Sequence, residues 1–469
     1  MLTTILHPMR PMLKNLLALL TAAGLFLNCS FKDKVRWAHR AMTIEQKPNE
    51  ATKFDWMDQK PDSHHVYFSP SFQRDVDQKT FSYLSAGNEI HILANKDSHK
   101  TKLHWIQKAK HSVYLSSLHI HCDQGGEEFT SVLIKAKQRG IDVRIILDGG
   151  FWGSFGASCQ NRLEKADIPI GRSPYHWPFK NNFKLHDKLM VVDADIAIVG
   201  GQNIGSLWSE SNGKDRLFRD TDALVKGPVV LSVALRFVTH WKITNPNDST
   251  ISSYEQLLEQ KNKHYQKNHL VGVENYKQWL SPKNRKGLCR FVTQDPYLNT
   301  FYVFDAYTLY AQKAKSQILF QVPSLNALGS PQQETFLNAL VHTAQMPRAR
   351  VDVITNGPGL LNSDIVDWRL AGFYGLYTLS DVYDSVQGTP IRVHAYHYWI
   401  HSKVYYFDHL AVGIGGFNFD ESGLSWTENT LICLDPTLVQ ESSLMFKNDL
   451  THSTELETPL LNEPNQDKV

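Results

Sequence analysis

The chain carries almost no net charge, no closely spaced cysteine pair and no long apolar run beyond its first thirty residues. Lys and Arg number 49 against 47 Asp and Glu, a formal +2. That balance argues against a nucleic-acid binder held by bulk electrostatics, although a local basic site can exist in a neutral whole. The five cysteines (Cys29, Cys122, Cys159, Cys289, Cys433) show no CxxC spacing, which removes a zinc knuckle. Beyond the N-terminus no stretch approaches the ~20 apolar residues of a membrane-crossing helix. What is present is a globular composition, 42% hydrophobic and 20% charged. At 469 residues it exceeds what one core supports, so two or more domains are expected.

At the start, Arg10 and Lys14 precede a largely apolar segment, Leu16 to Leu27. Its length suits the core of a signal peptide better than a transmembrane helix. Cys29 follows directly, as at a bacterial lipoprotein cleavage site, with Asn28 an uncommon residue before it. Residues 1–29 are therefore expected to be a signal peptide, lipoprotein-like segment or membrane anchor. The protein is expected to be exported, to the bacterial cell envelope or beyond. The other four cysteines can then form disulfides, in a pairing the sequence does not reveal.

One pattern occurs twice: His-x-Lys-x-x-x-x-Asp, as His186, Lys188 and Asp193 in HDKLMVVD, and as His401, Lys403 and Asp408 in HSKVYYFD. Gly-Gly-x-Asn follows both, and Asn203 and Asn418 each stand 17 residues after their His. Two chance matches to the octet are expected only ~0.02 times in this composition. The fixed offset to the asparagines excludes coincidence. Hydrophobic β-type residues predict each octet to be a strand, whose alternation sets His and Lys on one face. The glycine pairs allow close backbone approach, so that the Asn side chains reach the same ligand.

The order of elements repeats as well. In the first half, helical character ends at Lys110, a strand pattern covers 112–120, a helix 127–139 closes at Gly140, and a strand covers 141–148. The second half has a strand at 317–322, a helix at 333–345 and a strand at 349–356. A duplicated α/β unit follows. The expected organisation is an N-terminal extension over 30–86, a first half over 87–243 and a polar linker over 244–288. A second half over 289–447 and a disordered tail over 448–469 complete it. The extension is expected to wrap around the first half.

These residues suit phosphodiester chemistry. A neutral imidazole can attack phosphorus and split the reaction through a phosphohistidine. A second, protonated imidazole gives a proton to the leaving alkoxide and later takes one from water or an alcohol. Two lysines and two amides aimed at the non-bridging oxygens stabilise the charge of the transition state, each typically worth ~3 kcal/mol.

The blocks FKLHDKLMVVDADIAIVGGQNIGSLW, FRDTD and KGPVV, with ITNGP, IHSKVYYFD and GIGGFNFDESGLSWTENTLICLD, resemble the phospholipase D superfamily over residues 87–445. Within it they resemble the bacterial cardiolipin synthase-like branch. The resemblance implies two similar α-β-α sandwich halves in a pseudo-twofold unit with one active site at their interface. It also implies metal-independent catalysis with no cofactor. His186 and His401 become nucleophile and general acid/base, Lys188, Lys403, Asn203 and Asn418 phosphate ligands, and the motif aspartates Asp193 and Asp408 join His186, Lys188, His401 and Lys403 in the catalytic set, although such aspartates are more often structural than chemical. Glu428, in the second block, matches the carboxylate that orients a catalytic His, and Asp220 is the weaker candidate for that role in the first. The expected partners are a phospholipid substrate and a membrane surface rather than nucleic acid. The alternative is a nuclease or other non-lipid phosphodiesterase of the same superfamily. The second motif departs from the commoner Gly-Ser by carrying Gly416, and Glu421 and Trp426 replace residues usual after Asn418.

Other candidates stand beside the motifs. His119, His121 and Cys122 suggest a metal site less than a core or site-lining face. Tyr175-His176-Trp177 and Tyr396-His397-Tyr398-Trp399 precede the two motifs, where aromatics line an entrance or pack the interface. Phe151, Trp152 and Phe155 lie in a Gly-rich loop where α/β folds place ligand-facing residues.

Overall fold

The computed structural model describes residues 51–58, 62–150, 156–173, 184–209, 218–325, 330–357, 378–379 and 381–456. The N-terminal apolar segment, Tyr175 to Trp177 and the Phe151–Phe155 loop fall outside them. The described residues all belong to one compact unit. Its first-half strands are β1 (Glu89–Ala94), β2 (Ser112–Ser117), β3 (Asp142–Leu147), β4 (Ile170–Arg172), β5 (Lys184–Leu185), β6 (Leu189–Val192), β7 (Ile196–Gly200), β8 (Phe218–Arg219) and β9 (Thr221–Lys226). The second-half strands are β10 (Cys289–Gln294), β11 (Gln317–Gln321), β12 (Arg350–Thr355), β13 (Arg392–Tyr396), β14 (Trp399–Ile400), β15 (Val404–Phe407), β16 (Ala411–Gly415), β17 (Trp426–Cys433) and β18 (Ser453–Glu455).

The first sheet runs β1-β9-β7-β6-β2-β3-β4, and the second β10-β17-β16-β15-β11-β12-β13-β18. The seven leading positions correspond one to one. In both, two parallel strands after the central one (β2-β3 and β11-β12) are joined by a helix, Gln124–Gln138 or Pro331–Ala344. Both helices start at a side-chain cap: Asp123 accepts the amide of Gly126 at 3.0 Å, and Ser330, ahead of Pro331, that of Gln333 at 3.2 Å. The first ends as expected at Gly140, whose φ of +84° suits the left-handed position past a helix C-terminus. β2 and β11 are buried along their whole length, as helix-covered strands must be.

The octets differ from expectation. Regular strand begins only after the motif lysines, at Leu189 and Val404, because β6 and β15 pair with β2 and β11 from there on. His186 to Lys188 and His401 to Lys403 form the extended approach to each strand. Just before them, β5 pairs in parallel with the start of β17, and β14 with β8. Each of these short pairings joins one half to the other.

The core is continuous across that junction: Tyr114, Leu189, Val199, Phe237 and Trp241 share one buried cluster with Leu319, Tyr406, Val412 and Leu431. The outer layers differ. In the first half, Leu115, Phe129, Leu133, Val143, Ile145 and Met190 make a mostly aliphatic cluster. In the second, rings fill the same layer, with Phe336 stacked on Phe419 at 3.7 Å and Tyr307 against Tyr405 at 4.0 Å.

The N-terminal extension belongs with the second half, not the first. Tyr67 Oη donates to Tyr310 O at 2.7 Å, and Asp77 and Gln73 clasp the buried Arg290 guanidinium. The tail also corrects the expectation of disorder from 448. Residues to Thr451 complete the helix Pro436–Thr451, and β18 adds to β13, because the Asp449 carboxylate is held by Arg219 and Gln321. Disulfides join Cys122 to Cys159 and Cys289 to Cys433.

Candidate active site

Both motifs reach the junction through backbone hydrogen bonds that cross between halves. The His186 amide donates to Thr427 Oγ1 at 3.1 Å, and the His401 amide to Arg219 O at 2.7 Å. The next residues cross too: Asp187 accepts from Asn429 Nδ2 at 2.9 Å, and Ser402 Oγ donates to Thr221 Oγ1 at 2.8 Å. Asp187 is further balanced by Arg236, 2.9 Å away.

The orienting carboxylates are crossed in the same way. Glu428 of the second half meets His186 of the first, Oε1 to Nδ1 2.7 Å. Asp220 of the first half meets His401 of the second, Oδ2 to Nδ1 2.8 Å. A carboxylate on Nδ1 fixes the tautomer that presents Nε2 to a ligand. Lys188 Nζ donates to His186 O at 2.8 Å and Lys403 Nζ to His401 O at 2.7 Å, so each cation is tethered beside its imidazole. Asn203 Oδ1 receives Ser117 Oγ at 3.4 Å, and Asn418 lies buried at the matching position.

The second glycine of each pair has a steric reason. A Cβ at Gly201 would lie 2.4 Å from Asp220 Oδ1, and one at Gly416 2.8 Å from Glu428 Oε2. Any side chain there pushes into the carboxylate that holds a histidine. Gly416 is thus the residue that fits, where a Ser would crowd Glu428.

Asp193 and Asp408 are placed elsewhere, at the far ends of β6 and β15, about 16 Å along the chain from the lysines. Asp193 accepts the amides of Lys110, His111 and Ser112. Asp408 accepts those of Lys315, Ser316 and Gln317, and His65 Nε2 lies 3.0 Å away. Each opens its hairpin with φ near +55°, a conformation Asp tolerates better than most residues. Their carboxylates tie that turn to the start of β2 or β11. They build the site from a distance and take no place in it.

Burial dominates the electrostatics. It holds the His186 imidazole well below its usual pKa, helped by Lys188 and Lys403. Burial and Lys403 lower His401 to about 4 against the opposing pull of Asp220. Burial likewise lowers Lys188 to about 7 and Lys403 to about 8. Burial also pushes Glu428 well above the carboxylate range, with Lys188 opposing. For Asp220 burial is outweighed by His401, Lys403 and the Thr221 amide, and its pKa is lowered. Four basic groups crowded in a dry site disfavour one another's charge, and an anion bound among them reverses that penalty.

Aromatic rings flank both imidazoles, which sequence reasoning missed. Trp426 packs on His186 at 4.8 Å and Phe218 on His401 at 5.6 Å. Trp399 packs edge-on against Phe218 at 5.1 Å, so of the second aromatic group this ring backs the site while Tyr396 joins the core. Trp208 Nε1 donates to Asp220 Oδ2 at 3.0 Å, sharing the oxygen that holds His401. A signal existed: Phe218-Arg219-Asp220 and Trp426-Thr427-Glu428 share the order aromatic, any residue, acid. Cys122 is spent in its disulfide.

Comparison with known proteins agrees with this geometry. The family model described as "Cardiolipin synthase, PLD-like domain" matches residues 103–218 and 309–450, more than half of the chain. The chain is 31% identical to a cardiolipin synthase of Geobacillus sp. (strain WCH70) over 168 residues, 34% of this chain and 33% of that protein. It is 33% identical to a cardiolipin synthase of Halalkalibacterium halodurans over 144 residues, 29% of this chain and 28% of that one. The matched stretch thus spans about a third of the length of these relatives. Among solved structures, the phosphatidylserine synthase of Haemophilus influenzae Rd KW20 shares the fold, with a TM-score of 0.57 at 14% identity. That match covers 84% of this chain and 94% of that one. With both motif blocks inside the family match and both motifs meeting in one site, the chain belongs to the phospholipase D-like family, in its cardiolipin synthase branch.

Proposed function

We propose that this protein is a phosphatidyl-transferring phosphodiesterase of the phospholipase D type. It acts on glycerophospholipids through a phosphohistidine and passes the phosphatidyl group to an alcohol or to water. The observation that carries this reading is the pair of crossed His–carboxylate dyads, with a lysine tethered beside each imidazole.

His186 takes the nucleophile's role. Its side chain is 4% exposed against 17% for His401, and the deeper, neutral imidazole is suited to attack phosphorus without competing hydration. The P–N bond forms as the P–O bond to the head group breaks, and His401 gives its proton to the leaving alkoxide. His401 then takes the proton of the incoming hydroxyl, whose oxygen attacks phosphorus as the P–N bond breaks. Lys188, Lys403, Asn203 and Asn418 hold the non-bridging oxygens through both steps.

Export is supported by the two disulfides, which persist in oxidising compartments. A membrane surface is supported by Phe81 and Leu298, 72% and 58% exposed, with Tyr302 against Phe81 at 5.3 Å. Leu298 follows the end of β10, where Gln294 pairs with Glu428, so Leu298 lies toward the active-site end of the sheet.

The test is incubation of the purified protein with phosphatidylglycerol, phosphatidylcholine or single-stranded DNA in EDTA, alongside His186→Ala and His401→Ala. Products are identified by mass spectrometry. Cardiolipin plus glycerol, or phosphatidic acid, is expected from wild type and lost by ~10⁴-fold or more in either variant. Shortened DNA with untouched lipid establishes the nuclease alternative instead.

A further inference from the structure

The two halves share a backbone frame around the site but fill one wall differently. Pairing of Ser116 with Leu189, and of Gln321 with Val404, makes Ser116 and Gln321 equivalent. The bridges Ile120 to Ile204 and Leu325 to Phe419 carry the equivalence onward. His119 of the first half therefore matches Ser324 of the second, and Gly205 matches Asp420. In the second half the pair is a small hydroxyl bonded to a carboxylate, Ser324 Oγ to Asp420 Oδ2. In the first the same two positions hold a large imidazole and a glycine.

The environment of His119 is that of a site residue. It is 5% exposed, follows the end of β2, and its ring lies 4.4 Å from that of His121 and 5.9 Å from that of Trp208. The Trp208 ring lies 6.2 Å from that of His401 and donates to the carboxylate that holds it. The loop bearing His119 is pinned to the phosphate-binding segment, Ser117 Oγ reaching both His119 O and Asn203 Oδ1 and the His121 amide reaching Ile204 O. Gly205 is required there, since its φ is +157° and a Cβ would stand 2.9 Å from that of His121. Burial keeps the His119 pKa well below the ordinary value, and His121, Lys188 and His401 add to it by opposing a charge there. A neutral imidazole has one nitrogen able to accept a hydrogen bond.

We propose that His119 is a positioning residue for the acceptor alcohol, orienting its hydroxyl on the His401 side of the site for attack on the phosphohistidine. This rests on the functional reading above. The proton still ends on His401, and the new bond is acceptor oxygen to phosphorus. His119 supplies only a fixed acceptor that favours an alcohol held by its carbon chain over freely tumbling water. Its predicted effect is on the choice between transfer and hydrolysis. Ser324, on the opposite wall beside Asp420, should have little influence on that choice.

The experiment uses phosphatidylcholine in mixed micelles and graded ethanol or glycerol, with phosphatidyl-alcohol and phosphatidic acid quantified together. His119→Ala should lower the transfer-to-hydrolysis ratio by about tenfold and raise the acceptor KM, while total choline release changes less than about threefold. His119→Gln, which keeps an acceptor atom, should recover part of the ratio, and Ser324→Ala should leave it near wild type. His119→Gln also carries the test if the alanine variant does not fold, its ratio then lying between wild type and that of water competition alone. An unchanged ratio in active variants, or a parallel fall of both products, overturns the inference and leaves the functional reading standing. A wild-type protein that releases no choline and transfers no phosphatidyl group overturns both.

Discussion

Set side by side, the two halves have the same strand order and the same motif spacing, yet their dyads are unequal. His186 and Glu428 are sealed, with side chains 4% and 0% exposed, whereas His401 is 17% exposed over an Asp220 that also holds Trp208. The deep pair has the longer carboxylate and the open pair the shorter. A duplicated fold has thus produced one shielded histidine and one more open, the difference on which the proposed division between attack and proton exchange rests. The crossing of the carboxylates teaches a second point. Neither half carries a complete dyad, so neither is half an enzyme. Duplication became irreversible once each histidine depended on a residue of the other copy.

The largest effect should come from uncoupling the dyads one at a time. Glu428→Gln and Asp220→Asn keep shape but replace a carboxyl oxygen that fixes each imidazole, and should cost about 10²- to 10⁴-fold in kcat with folding retained. If the sealed dyad is the more dependent on its partner, Glu428→Gln is the worse of the two. Equal losses in single-turnover assays would erase the proposed division of labour.

A smaller effect is expected on the pH profile. Lys188 and Lys403 are lowered to about 7 and about 8, so each is charged below that value and neutral above it. kcat/KM, which reports the free enzyme, should therefore fall as pH rises from 7 to 8, by up to about tenfold per unit. Bound phosphate raises both pKa values, so the alkaline limb of kcat should lie higher. Lys188→Arg cannot lose its proton in this range and should flatten the first part of the fall. A profile that stays level to pH 9.5 in wild type would contradict this.

The smallest effect on chemistry should come from the motif aspartates. Asp193→Ala and Asp408→Ala each release three backbone amides, at a cost of about 1–3 kcal/mol or more in stability. Asp408, which also receives Ser316 Oγ and faces His65, should be the costlier. Urea midpoints should shift while kcat of the folded fraction stays near wild type. A loss of kcat without loss of stability would return these residues to the catalytic list.

Much of this was legible in the chain. The two octets, the Gly-Gly-x-Asn offset and the alternation of helix and strand patterns located both halves and six of the side chains in the site. They stood out because core packing alone does not place polar residues at a fixed spacing amid β-type runs. The repeat was faint elsewhere because packing accepts different fillings of one volume: Met190 and Ile204 in the first half stand where Tyr405 and Phe419 stand in the second. The strand limits were misjudged at His186 and His401, because local propensity cannot show that pairing with β2 and β11 starts only past the lysines. The extension's attachment to the second half was equally hidden. It depends on Arg290, buried under Asp77 and Gln73 more than two hundred residues away.

Residue type and spacing alone therefore specified the chemistry: two imidazoles, two cations and two amides in a twofold set. Local pattern was enough, because each set lies within one short segment whose backbone geometry follows from strand and glycine. Which carboxylate serves which histidine, which imidazole is sealed, and that the motif aspartates hold turns were decided only by the packed halves. Those are relations between segments far apart in the chain, and burial and hydrogen bonding across an interface exist only once it has formed.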